Sequence, residues 1–348
     1  MKPSQPTYKD HSDALIGPYD SPSAPDDLWF LPDDDGTPNV AIAEPFSLAT
    51  SGHTGLLDAK EWRAAEAALA ADLAALAFDC GRLSERVRAM GESPTQRLAF
   101  AEASSLSWWT GDRVSAEQLA LWQSYRIGAS DAEGGRLIRT AWAARRLAAA
   151  GQGGDAAGVL QTALGEGADK QLIAEVAQVL GDLPGLSAVT QGCALFHLWR
   201  SLDERPEHLR GLEAAVLGAR MAAGQGMAFL PLTLTGFSAV TASGTPKARL
   251  TGWITGAHRA VLAALMMLER LTDWRARAAA ETTDLQGRTP AQLIAALAAH
   301  PMLGAAQAEA ETGASRAAVQ RNLDVLTTRG LAREVTGQGR FRVWAARV

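Results

Sequence analysis

The last sixty residues, 289–348, constrain the fold of this chain most, because capping, periodicity and turn chemistry agree there on one order of elements. Thr289 is an N-cap candidate with Pro290 at the first helical position and Gln292 three residues on. Leu293, Ile294, Leu297 and Ala298 then repeat at helical spacing until His300-Pro301, where proline disfavours helix at the residue before it. A second, alanine-rich helix is expected over 304–311, closed by Thr312-Gly313, since glycine enters the left-handed region without a Cβ clash. Ser315 is a strong N-cap for a third helix over 316–329. There Val319, Leu323 and Leu326 share one face and Arg316, Gln320 and Arg321 another, and Gly330 ends the run.

A β-hairpin should follow, with strands over 331–336 and 340–345 around Gly337-Gln338-Gly339, and with Phe341, Val343 and Ala345 alternating against Arg340, Arg342 and Trp344. Helix, helix, tight turn, helix, hairpin is the winged helix-turn-helix order, in which the helix after the turn lies in the DNA major groove and the wing reaches the flanking backbone. Beyond Gly313 stand seven arginines, opposed locally only by Asp324 and Glu334, in a chain of net charge −5. Such a local basic patch suits phosphate neutralisation, and arginine can hold guanine bidentately. Base contacts are therefore expected from Ser315, Arg316, Gln320 and Arg321, and backbone contacts from Arg340 and Arg342. The competing reading is a protein-docking winged helix whose arginines only solubilise it.

The 348 residues suggest two or three domains, and the abundance of alanine and leucine with few aromatics argues for a mostly α-helical chain. The overall negative charge excludes a uniformly basic nucleic-acid coat. Residues 1–54, rich in Pro, Asp, Ser and Gly, read as an irregular, partly disordered arm, of which Leu28-Trp29-Phe30-Leu31 and 40–48 are apolar enough to dock. Residues 55–286 read as a helical body and 287–348 as the terminal domain. Helices are expected over 58–79, over 82–90 after a break at Gly81, from Ser93-Pro94, from a Ser115/Gln118 capping box, and over 131–150 up to a glycine joint at 151–154. Further ones are expected within 155–180, over 187–202, from Pro206 and, longest, over 246–280, with a buried extended piece within 227–240. The charged end of the longest helix, 269–277, reads as intrahelical ion pairs.

Glu102-Ala103-Ser104-Ser105-Leu106-Ser107-Trp108-Trp109 sets a carboxylate beside serines, but no histidine is near and no glycine elbow presents a nucleophile. It reads as a helix end with small serines for close packing and two buried tryptophans. His197, among large apolar residues, reads as a core histidine, and no second ligand lies at a metal-binding spacing. Asp33-Asp34-Asp35 lacks the spacing of a calcium loop. Cys80 and Cys193 have no Cys-x-x-Cys spacing and read as small buried apolar residues, without zinc or disulfide. No apolar run approaches the ~20 residues that span a bilayer and no signal peptide opens the chain, so a cytoplasmic protein with no membrane association, no cofactor, no metal and no catalytic residues is expected.

Several stretches carry a family resemblance, covering about 61–348. Ala101-Glu102-Ala103-Ser104-Ser105-Leu106 with Val114-Ser115-Ala116-Glu117-Gln118-Leu119 is similar to the amino-terminal helical motif of Fic proteins. Phe229-Leu230-Pro231-Leu232 with the following long helix, and the tail from Gly330 through Trp344, add to it. The chain thus resembles a bacterial family, frequent in alphaproteobacteria and often plasmid-borne, with a Fic-like helical region and a helix-turn-helix end. Active Fic enzymes carry His-Pro-Phe and a Gly-Asn-Gly-Arg anion loop; here His208 is followed by Leu209-Arg210-Gly211-Leu212-Glu213. The resemblance therefore implies a Fic-like body without adenylyl transfer. The functional expectation is a homodimeric regulator of transcription or plasmid maintenance that binds double-stranded DNA, with a non-enzymatic adaptor that grips a protein partner as the alternative. A residual nucleotide-handling activity of His208 comes third.

Overall fold

The structure, a computed structural model, describes residues 58–91, 93–125, 131–149, 156–165, 170–181, 185–202, 206–224, 226–336 and 342–348. The expected arm at 1–54, the glycine joint at 151–154 and the hairpin turn with Arg340 lie outside them. Within them the chain is mostly helical, with one small antiparallel sheet near the carboxyl end. No described helix is long and apolar enough to cross a membrane.

Asp58 opens α1 (Ala59–Ala68) by accepting from the amides of Lys60 and Glu61 at 2.8 and 3.4 Å. The expected break at Gly81 is absent, because α2 (Ala70–Met90) runs through it. A lone interior glycine costs only about 1 kcal/mol, which packing overrides. The chain instead kinks at buried Leu69 (φ −112°, ψ 16°), across which the backbone ladder continues from Leu73 N to Leu69 O at 2.9 Å.

Next come α3 (Ser93–Trp109) and α4 (Ala116–Tyr125). The latter is opened by the expected capping box: Gln118 N donates to Ser115 Oγ at 3.0 Å and Ser115 N to Gln118 Oε1 at 2.9 Å. The body continues through α5 (Asp131–Ala148), α6 (Ala156–Leu164), α7 (Lys170–Gly181), α8 (Ala188–Leu202) and α9 (Glu207–Ala222). Helices α8 and α9 pack antiparallel with backbones nearly touching. A Cβ on Gly192 would lie 2.5 Å from the Gly218 carbonyl oxygen, and one on Gly218 would lie 2.8 Å from that of Gly192. The one-turn α10 (Ser238–Thr241) replaces the end of the extended piece, and the 35-residue α11 (Pro246–Ala280) starts at Thr245, whose hydroxyl accepts from Ala248 N.

The terminal elements are α12 (Thr289–Ala299), β1 (Leu303–Gly304), α13 (Ala305–Thr312), α14 (Arg316–Thr328), β2 (Ala332–Glu334) and β3 (Val343–Ala346). The strands lie in the order β1-β3-β2, all antiparallel, with Leu303 opposite Trp344 and Glu334 opposite Trp344 on the other side. Two residues of β1 were not foreseen, since a two-residue strand has no periodicity to read. At α12 the N-cap is Arg288 rather than Thr289, which already lies in the helix. The expected alternation along the last strand also fails, because Val343, Trp344 and Ala345 are all buried. β3 is the central strand and both its faces are covered.

Two hydrophobic clusters account for this. One fills the body, from Trp62, Leu76 and Leu106 to Phe196 and Trp253, and includes Val343. The other gathers Trp274, Leu293, Leu297, Val319, Leu323, Leu326 and Trp344. Successive residues of β3 thus enter different cores. α11 supplies both, Leu250 through Leu268 to the first and Leu271, Trp274 and Ala278 to the second. Arg97 of α3 adds a polar tie by donating to the carbonyls of Leu297, Ala298 and His300 at 2.8, 3.2 and 2.6 Å, where the end of α12 leaves acceptors unpaired.

Candidate nucleic-acid interface

The turn between α13 and α14 is built by local chemistry. Gly313 sits in the left-handed region at φ 61° and donates to Glu309 O at 2.8 Å. Thr312, buried, donates its hydroxyl to Ala308 O and accepts from Ala314 N, and Ser315 Oγ then accepts from Ala318 N at 3.4 Å. Val319, Leu323 and Leu326 are fully buried, which fixes the rotation of α14 and turns Ser315, Arg316, Ala317, Arg321, Asp324 and Thr328 outward.

The candidate residues separate into two groups. Ser315 and Arg316 stand at the exposed start of α14, and Gln320 and Arg321 follow one turn later. The Arg316 side chain is 81% exposed and only 4.0 Å from Glu309 at its closest approach. No ion pair among the described residues engages Arg321. Gln320 spends its amide on Asp324 Oδ1 at 2.9 Å. Arg342 is differently placed: it donates to Glu334 Oε2 and Asp324 Oδ1, and its guanidinium stacks 4.9 Å from the Trp344 ring centroid. The Glu334 hydrogen bond, then Coulomb attraction to both carboxylates, holds its proton more firmly than usual. Arg340 lies outside the described residues.

Two of the remaining arginines of the terminal segment are similarly occupied. Arg329 binds Asp284 bidentately, both contacts at 2.7 Å, and Arg333 pairs with Glu117 of α4. The basic surplus read from residues beyond Gly313 is therefore reduced by carboxylates that arrive from far along the chain. Asp324 could have been anticipated at i+4 from Gln320, but Glu117, 216 residues from Arg333, carried no signal.

In the body, Glu102 is wholly buried. Its Oε1 accepts from Leu232 N, Thr233 N and the Thr233 hydroxyl at 3.0, 2.9 and 2.9 Å, and Ser105 donates to Thr233 O at 2.6 Å. These groups replace strand partners for the extended 229–233 segment, whose Leu230 N donates to Ala219 O. Burial pushes the Glu102 carboxyl up to about 7 despite the three donors. The Glu-Ser block is thus a backbone clamp. Trp109 packs 6.2 Å from Phe196, but Trp108 is 52% exposed, contrary to the expectation that both are buried, because it points away from the α3 face on the core.

His197 is buried as expected. Its Nδ1 accepts from Arg249 Nη1 at 2.7 Å, so the ring proton sits on Nε2, which has no partner among the described residues. Burial, then the Arg249 and Arg200 charges, lowers its pKa to about 3. Cys193 is buried and Cys80 half-buried, and burial raises the Cys80 thiol to about 12. The intrahelical pairs expected over 269–277 are replaced by Arg277 donating to the Arg347 carbonyl at 3.0 Å. No group of three metal-ligating side chains gathers among the described residues. Comparison of the chain with protein-family models and with curated proteins finds no match.

Proposed function

We propose that this protein binds duplex DNA through a carboxy-terminal winged helix-turn-helix, as a regulator of transcription or of plasmid maintenance. The observation that carries the reading is the outward face of α14. It is a capped helix after a tight turn, anchored by three buried residues, and it offers Ser315, Arg316 and Arg321 to solvent with only a distant carboxylate near. Gln320 joins that set once it exchanges Asp324 for a base edge. Arg342 orients the hairpin through Asp324 and Glu334, and phosphate contact by it requires giving up those partners.

The test is fluorescence anisotropy with fragments of the protein's own upstream region and with random duplex, across a salt series. Alanine at both Arg316 and Arg321 should weaken binding and lower the slope of log K against log salt by about 1 to 2. Unchanged affinity in the double variant would remove α14 from the interface.

A second reading, a protein-docking adaptor, draws support from the neutralisation of Arg329, Arg333 and Arg342 by Asp284, Glu117 and Glu334. It predicts no salt-dependent DNA affinity. In both readings the Fic-like body is non-enzymatic, since His208, in the first turn of α9, is followed by no Pro-Phe. Label transfer from ATP that disappears in His208→Ala would overturn that.

A further inference from the structure

Helix α11 carries a stripe that the fold does not use. Its inner face is buried at Ala257, Val261, Ala264, Leu268, Leu271 and Trp274, whereas Thr255, Arg259, Leu262, Met266, Glu269, Asp273 and Ala276 are all exposed. Those outer positions are separated alternately by four and three residues, the spacing of a coiled-coil seam. Leu262 and Met266, at 40% and 53% exposure, form its apolar centre. No ion pair among the described residues engages Arg259, Glu269 or Asp273.

We infer that this stripe pairs with the same stripe of a second copy, antiparallel, about a two-fold axis near residue 264. Reversing the helix about that point sets Leu262 against the partner's Met266 and Arg259 against the partner's Glu269, and symmetry makes each contact twice. A parallel pairing would instead oppose Arg259 to itself and Glu269 to itself. Charge therefore selects the antiparallel dimer, and self-complementarity selects a second copy over an unrelated partner. The inference is independent of DNA binding, because no seam residue belongs to α14 or to the hairpin.

The test is analytical ultracentrifugation of the full chain without DNA, across a micromolar concentration series. Wild type should show concentration-dependent dimers. Arg259→Glu and Glu269→Arg should each weaken self-association by roughly tenfold, losing two attractions and gaining two repulsions, and the double reversal should restore it. Met266→Asp should give monomer. All these side chains are exposed, so circular dichroism should show wild-type helicity throughout. A wild type that stays monomeric, or a double reversal no better than its parents, overturns the inference.

Discussion

The body and the terminal unit both bury polar groups among apolar side chains, but they satisfy them at different ranges. Around α14 the partners are close: Thr312 to Ala308, Asn322 to Ala318 and Thr327 to Leu323 each span four residues. Trp274, which reaches the Leu331 carbonyl at 2.9 Å, is the buried long-range exception, and the Arg329–Asp284 pair is a partly exposed one. In the body, Glu102 holds amides 130 and 131 residues away, and His197 takes a hydrogen bond from Arg249, 52 residues on. The buried ionisable groups Glu102 and His197 lie in the body, whereas the ion pairs of the terminal unit, such as Arg329 with Asp284 and His300 with Glu311, are partly exposed, so the body should carry most of the pH dependence of stability.

The largest expected effect tests the exception. Trp274→Ala removes a fully buried ring from the terminal core and one of the two hydrogen bonds to the Leu331 carbonyl, which keeps that of Arg347 N, and should cost about 3–5 kcal/mol in denaturant unfolding. Because α11 belongs to both cores, the loss should appear in one cooperative transition. Separate melting of the terminal unit would show that the two cores are less coupled than their shared helix implies.

Glu102→Gln sharpens the comparison through pH. The folded-state pKa of Glu102 is raised from the ordinary carboxyl range to about 7, so its contribution is fully present below about 4.5 and is lost as pH rises through 7. The pKa of His197 is lowered from about 6.5 to about 3, so its contribution is present above 6.5 and is lost as pH falls toward 3. Between about pH 4.5 and 6.5 the two slopes oppose each other, and wild-type stability should be nearly flat. Glutamine keeps an acceptor for the three donors but cannot titrate. The variant should therefore gain acid sensitivity in that window and lose the decline above it, a relative change of up to ~3 kcal/mol in urea midpoints across the series. A variant whose pH profile parallels wild type would show that Glu102 is not the group that titrates.

The smallest effect belongs to the exposed tie between the regions. Arg333→Ala breaks a pair whose side chains are both about half exposed, and should change stability by less than ~1 kcal/mol. A larger loss would mean that the hairpin depends on α4 for its position.

Much of the terminal unit was legible because its signals are local. Ser315, Gly313, Pro290 and the Val319-Leu323-Leu326 spacing act within a few residues of themselves, and the Ser115/Gln118 box is a further case. Sequence failed where a competing long-range contact won. Gly81 stays helical while Leu69 bends the chain, Trp344 is buried on what looked like the polar side of its strand, and Trp108 is exposed where burial was expected.

By itself the sequence determined that the chain is mostly helical, where most of its helices begin, and which face of α14 turns outward, since propensity, capping and periodicity are set by neighbours. Only the tertiary structure decided how much positive charge that end retains. Glu117 and Asp284 reach Arg333 and Arg329 from other elements, and Coulomb interactions follow distance in space rather than position along the chain.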